Sequence, residues 1–151
     1  MKKIFIASDH IGIYHKAQIL THLSADKYDV VDLGPMGPDR VDYPNYAVKV
    51  CKNVLKHKNA KGILICGTGI GMSIMANRFR GIRAALCTNT YMAKMAVLHN
   101  DANIICIGAR VIDEKTALSV VQTYLEETFE GGRHVRRIIK LDTLAEETLH
   151  S

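Results

Sequence analysis

Apolar residues follow two rhythms that alternate along the chain. Short, nearly continuous runs rich in Ile, Leu and Val occupy Lys3–Ser8, Asp29–Leu33, Gly62–Cys66, Arg83–Cys87 and Asn103–Ile107. Such runs predict parallel strands buried on both faces. Between them apolar residues recur at helical spacing over about 13–24, 45–58, 71–78, 90–98 and 113–127. A last helix, about 133–149, places Val135, Ile138, Ile139, Leu141 and Leu144 on one side. Gly34-Pro35, Gly37-Pro38 and Gly131-Gly132 mark loops. Repeated β-α units predict a Rossmann-like three-layer α/β fold, with an open, mainly parallel five-stranded sheet and helices on both faces. Ligands of such sheets bind beyond the carboxyl ends of the strands. That rule gathers Ser8-Asp9-His10, Cys66-Gly67-Thr68-Gly69 and Gly108-Ala109-Arg110 at one end of the sheet.

The length of 151 residues fits one domain over 1–151, and no repeat or linker divides it. A chain that is 48% hydrophobic and 23% charged is not a disordered one. No apolar run approaches the ~18–20 residues that span a bilayer. Met1-Lys2-Lys3 precedes only four apolar residues, Ile4 to Ala7, where an export signal needs roughly 7–15. A soluble cytoplasmic protein with no membrane partner is expected. Net charge is +5, yet residues 43–100 contain nine Lys and Arg and no Asp or Glu. Such a segment attracts anions. Nucleic acid is disfavoured as a partner because aromatics are 6%, Trp is absent and no finger or zipper spacing occurs. A small phosphate ester fits as well. Cys51, Cys66, Cys87 and Cys106 form no Cys-x-x-Cys pair and read as reduced thiols, three of them as small buried residues.

The fourth, Cys66, opens Cys66-Gly67-Thr68-Gly69-Ile70-Gly71 between a strand and a helix. Glycines there let the backbone approach a ligand, and free N–H groups favour an anion or a thiolate. A ligand-free tight turn explains the segment about as well. No Lys follows as in a Walker loop, and the spacing Gly-x-Gly-x-Gly with no acid after the next strand departs from a dinucleotide fingerprint. No nucleotide cofactor is indicated. His10 and His99 titrate near neutrality and could serve as acid or base. Asp9, His10 and His99 could supply three metal ligands, but no ligand spacing supports it, so no metal is expected. Arg133 and Arg137 share a helix face at i,i+4 and, with His134 and Arg110, suggest a phosphate clamp. The plainer alternative is pairing with Glu126, Glu127 or Glu130.

These residues stand in an order that resembles the ribose-5-phosphate isomerase B family, whose relatives include galactose-6-phosphate isomerase. The matching landmarks are Ser8-Asp9-His10-x-Gly12, Asp42-Tyr43-Pro44-x-Tyr46-Ala47, Ile65-Cys66-Gly67-Thr68-Gly69-x-Gly71 and Ala76-Asn77. Gly81-Ile82-Arg83-Ala84, His99-Asn100-Asp101-Ala102-Asn103, Gly108-x-Arg110-Val111 and Phe129-Glu130-Gly131-Gly132-Arg133-His134-x-x-Arg137 complete them. The resemblance implies a cofactor-free aldose–ketose isomerase of the pentose phosphate pathway, interconverting ribose 5-phosphate and ribulose 5-phosphate through an enediolate. It implies Cys66 as base, His99 as the group aiding ring opening, and Thr68 beside them. Amides of Gly67, Gly69, Ile70 and Gly71 would hold the enediolate, while Asn100, Asp9 and Tyr43 would hold the sugar. His10, Arg110, Arg133 and Arg137 match the phosphate site. The family is usually a homodimer whose active sites are shared between subunits. A hexose 6-phosphate isomerase, or a non-catalytic module binding sugar phosphate or nucleic acid, are the rival readings.

Overall fold

The computed structural model describes residues 1–150. Five strands alternate with helices: β1 (Lys2–Ser8), α1 (Ile13–His22), β2 (Tyr28–Asp32), α2 (Tyr43–Lys56), β3 (Lys61–Cys66), α3 (Ile70–Ala76), β4 (Ala84–Leu86), α4 (Thr90–Leu98), β5 (Ile104–Gly108), α5 (Glu114–Glu126) and α6 (His134–Leu149). The strands form one sheet in the order β2-β1-β3-β5-β4, and every pair is parallel. The expected fold is therefore the observed one, with boundaries moved by a residue or two. Arg83 and Cys87 fall outside the short β4. Among the described residues no helix is long and apolar enough to cross a membrane.

Strand residues alternate between two cores, as the period of two demands. Ile4, Ile6, Ile63, Ile65, Ile105 and Ile107 face α1, α4 and α5, where Ile19, Val97, Val120 and Tyr124 meet them. Phe5, Ala7, Leu64, Cys66, Ile104 and Cys106 face α2 and α3, meeting Val50, Val54, Met72 and Ala76. Helix starts are written locally. Asn89 caps α4 by accepting the Met92 N–H at 2.8 Å, and Asp113 caps α5 by accepting that of Thr116 at 2.8 Å. Pro44 stands in the first turn of α2, where its missing N–H costs nothing.

The exposed edge strand β4 is closed by side chains. Asn77 takes the place of a neighbouring strand, with Nδ2 donating to Ala84 O at 2.9 Å and Oδ1 accepting from Ala84 N at 2.8 Å. Helix α6 is the least covered element. Ile138 and His134 are buried, and the Arg83–Asp142 and Arg80–Glu146 ion pairs tether the helix. Val135, Ile139, Leu141 and Leu144 remain exposed, so most of the apolar side expected from the sequence has no cover within this chain.

Candidate active site

Two of the strand ends that carry chemistry are next to each other. β1 and β3 are neighbours, yet α1 packs on one face of the sheet and α3 on the other. Their connections therefore diverge and leave a crevice at their carboxyl ends, the switch point where open α/β sheets bind ligands. Asp9 ends β1 on one side of it and Cys66 ends β3 on the other.

Asp9 is buried, and its Oδ1 accepts the N–H groups of Ile11 at 2.9 Å and Gly12 at 3.1 Å, which fixes the carboxylate. The Asp9 N–H donates to Ile65 O at 2.9 Å, holding this turn against β3. His10 Nδ1 accepts from Val41 N at 3.3 Å. In the neutral ring the proton then sits on Nε2, the position left for a ligand. Cys66 is buried, with Sγ accepting the Gly69 N–H at 3.1 Å, a contact that favours negative charge on sulfur. Gly69 has φ 80°, and a Cβ there would stand 2.6 Å from Leu86 Cδ1. Thr68 Oγ1 accepts from Ile70 N at 3.2 Å. At Gly71 a side chain would run into the ring of Tyr43, so this glycine lets the Tyr43 ring lie against the loop. Ala109 N donates to Cys66 O at 2.8 Å and Arg110 N to Gly67 O at 2.9 Å, which bolts the β5 turn to the β3 turn and brings Arg110 over Gly67.

The other three thiols behave as core atoms. Burial pushes Cys51 up to about 12 and Cys87 up to about 11, and raises Cys106 as well. That agrees with their reading as small apolar residues.

The remaining candidates are elsewhere. His99 follows α4, and Asn100 leads toward β5, so both stand at the amino end of the sheet. Register makes the distance concrete: Cys66 pairs with Gly108, and Ile104 with Gly62, four residues back along β3. Four residues of strand span about 13 Å, with the core between. Arg83 holds the His99 turn in place, its Nε donating to Asn100 O and Asp101 O, both at 3.1 Å. Glu130 N donates to Leu98 O at 3.1 Å, and the His99 and His134 rings stack with centroids 4.3 Å apart. Arg133 and Arg137, at the start of α6, belong to this group. The expected clamp of Arg110 with Arg133, His134 and Arg137 does not form within one chain, because Arg110 stands at the carboxyl end. Asp9 and His10 are likewise separated from His99, so the three do not converge within one chain. The grouping of Glu130 with His99 and His134 is brought about by the fold and is not among the sequence expectations. Its only signal in the sequence is the i,i+4 spacing of Glu130 and His134.

The comparisons with known proteins run through both groups. The profile of the Ribose/Galactose Isomerase family matches residues 4–141. Ribose-5-phosphate isomerase B of Escherichia coli K12 is 43% identical over 138 residues, covering 91% of this chain and 93% of that protein. The solved structure of ribose-5-phosphate isomerase B from Clostridium thermocellum matches with a TM-score of 0.92 at 46% identity, over 97% of this chain and 99% of that one. That of the Mycoplasma genitalium ribose-5-phosphate isomerase B, with ribulose-5-phosphate bound, matches with a TM-score of 0.92 at 41% identity, over 96% of this chain and 97% of its own.

Proposed function

The chain belongs to the ribose/galactose isomerase family, and on that footing we propose that it interconverts ribose 5-phosphate and ribulose 5-phosphate as a cytoplasmic, one-domain, cofactor-free homodimer. Cys66 as thiolate takes the C2 proton of the open-chain aldose, leaving an enediolate charged on O1, and returns the proton to C1 while the O2 proton passes to O1, which forms the ketose. The Gly67 to Gly71 turn offers its backbone N–H groups to the developing oxyanion, those of Gly69 and Ile70 by leaving Cys66 Sγ and Thr68 Oγ1, and donors held there are worth several kcal/mol. His99 moves the proton between the C1 hydroxyl and the ring oxygen that opens the furanose, and Thr68 lies beside the reacting carbons. Asp9, Tyr43 and Asn100 hold sugar hydroxyls. His10, Arg110, Arg133 and Arg137 bind the phosphate, and that remote grip orients C1 and C2 for the transfer.

A pentose phosphate cannot meet Cys66 and His99 of the same chain, since they stand at opposite ends of the sheet. A twofold pairing that lays the His99 end of one copy over the Cys66 end of the other completes two equivalent sites. The uncovered side of α6 supplies apolar surface for such a pairing.

The observation that carries this reading is Cys66 at the switch point, with the Gly69 N–H on its sulfur, in a chain so similar to a ribose-5-phosphate isomerase B that holds ribulose-5-phosphate. The test is ketopentose formation from ribose 5-phosphate in EDTA, with Cys66→Ala alongside. Turnover by wild type and a loss of at least ~10³-fold in the variant are expected for removal of the base. Turnover of hexose 6-phosphates in place of ribose 5-phosphate would reassign the substrate. Unimpaired turnover by Cys66→Ala would remove the role given to the thiol.

A further inference from the structure

One group of side chains offers a chemistry that isomerisation does not use. His99 Nε2 lies 3.8 Å from Glu130 Oε2, and His134 Nε2 lies 3.7 Å from Glu130 Oε1. One ligand atom from each of the three residues lies within 4.8 Å of the others. His134 is only 3% exposed, and its Nε2 is buried with no hydrogen-bond partner. Leaving such an atom unpaired costs about 1–3 kcal/mol, so a nitrogen aimed at a carboxylate beyond bonding distance points to a missing ligand.

The backbone builds this arrangement. Glu130 is fastened to the end of α4 through Leu98 O, and His134 N donates to Gly131 O at 3.1 Å. Gly131 and Gly132, at φ 73° and 56°, turn the chain so that both Glu130 and His134 meet His99. Two imidazole nitrogens and one carboxylate are a donor set that zinc-class cations take, leaving a fourth position for water. Tetrahedral zinc with bonds of about 2.0–2.1 Å needs ligand atoms roughly 3.3 Å apart. The present spacing is wider, and the stacked rings, 19° from parallel, direct their lone pairs side by side. His99 and Glu130 have the room to close on the metal, with side chains 38% and 46% exposed against 4% for His134. Closing on a metal would tilt His99 out of the stack and draw Glu130 Oε1 away from Arg133, 3.9 Å from it.

We propose that His99, Glu130 and His134 bind a divalent cation of the zinc class, and that the bound cation inhibits isomerisation by holding His99. The inhibition rests on the role given to His99 above, whereas the site does not. The experiment is calorimetric titration of the full chain with zinc chloride in a non-chelating buffer, beside isomerase assays with and without zinc. One zinc per chain is expected. Glu130→Gln, on an exposed side chain whose thermal melt checks folding, weakens binding by at least ~10-fold. Cys66→Ala leaves it intact, excluding the thiol as the ligand. Zinc lowers turnover of the wild type, EDTA restores it, and Glu130→Gln needs correspondingly more zinc. No binding by wild type, or binding that Cys66→Ala abolishes and Glu130→Gln spares, overturns the site. Binding without inhibition overturns the regulatory half. Zinc binding as described in a protein with no isomerase activity sustains the site and removes the isomerase reading instead.

Discussion

A methyl group on residue 108 would stand 2.5 Å from Thr68 O and 2.6 Å from Thr68 C. Both are backbone atoms in the turn that carries Cys66, so neither neighbour can rotate away. Gly108→Ala is therefore expected to cost about 1–3 kcal/mol and to lower turnover by displacing the 66–71 turn. Denaturant unfolding and kinetics on the same preparation check both. Lys61 gives a pH signature. Burial, with the charge of Lys2 adding to it, lowers its ammonium to about 8, although Nζ donates to Tyr124 O at 3.2 Å. The folded state then binds fewer protons than the unfolded one between about 8 and the ordinary 10.5. Stability contributed by this group rises with pH across that window. Relative to Lys61→Met, the wild type should gain unfolding free energy from pH 7 to 9, measured by denaturant melts. Above pH 9 the buried Cys51 and Cys87 oppose the trend, because their raised values mean protons held in the fold and lost on unfolding.

Among the elements, the segment between β2 and α2 depends most on a single side chain. Lys16, on α1 and 4% exposed, donates to Asp32 Oδ1 at 2.8 Å and to Pro35 O at 2.7 Å. It ties the start of a loop that later supplies Val41 to His10 and Tyr43 to Gly71. Lys16→Met leaves Asp32 without its cation and should cost about 3 kcal/mol. With the loop loosened, KM for the sugar phosphate should rise more than kcat falls; the opposite split would argue against this positioning role. Strands and helices were legible at this scale because their signals are local. A buried parallel strand needs apolar residues on both faces, and a helix packed on the sheet repeats its apolar residues at helical spacing. The parallel order also foretells the division of the site, since any residue between a helix and the next strand stands at the amino end. His99 is such a residue. Arg110 follows a strand, which is why it and Arg133 of the same chain do not share a clamp.

For the whole molecule, the separation of Cys66 from His99 leads to a mixing experiment. Cys66→Ala and His99→Asn are each expected to be nearly inactive. If each site joins the Cys66 end of one copy to the His99 end of another, their mixed dimer has one intact site and one doubly damaged site. Subunit exchange between the two variants should restore about a quarter of wild-type activity. No recovery, in dimers shown by native mass spectrometry to have exchanged, would mean that each chain works alone.

Local pattern was enough for the alternation of strands and helices, and for a thiol in a glycine-rich turn at the carboxyl end of a strand. Those features depend on neighbours within a few residues. Strand order is a different matter, because β5 enters between β3 and β4 through contacts made across the chain. The same holds for the burial and stacking of His134 on His99, the partial burial of the Lys61 side chain, and the side of α6 left uncovered. Each depends on which distant surfaces meet, and a linear pattern of apolar and polar residues carries no record of that.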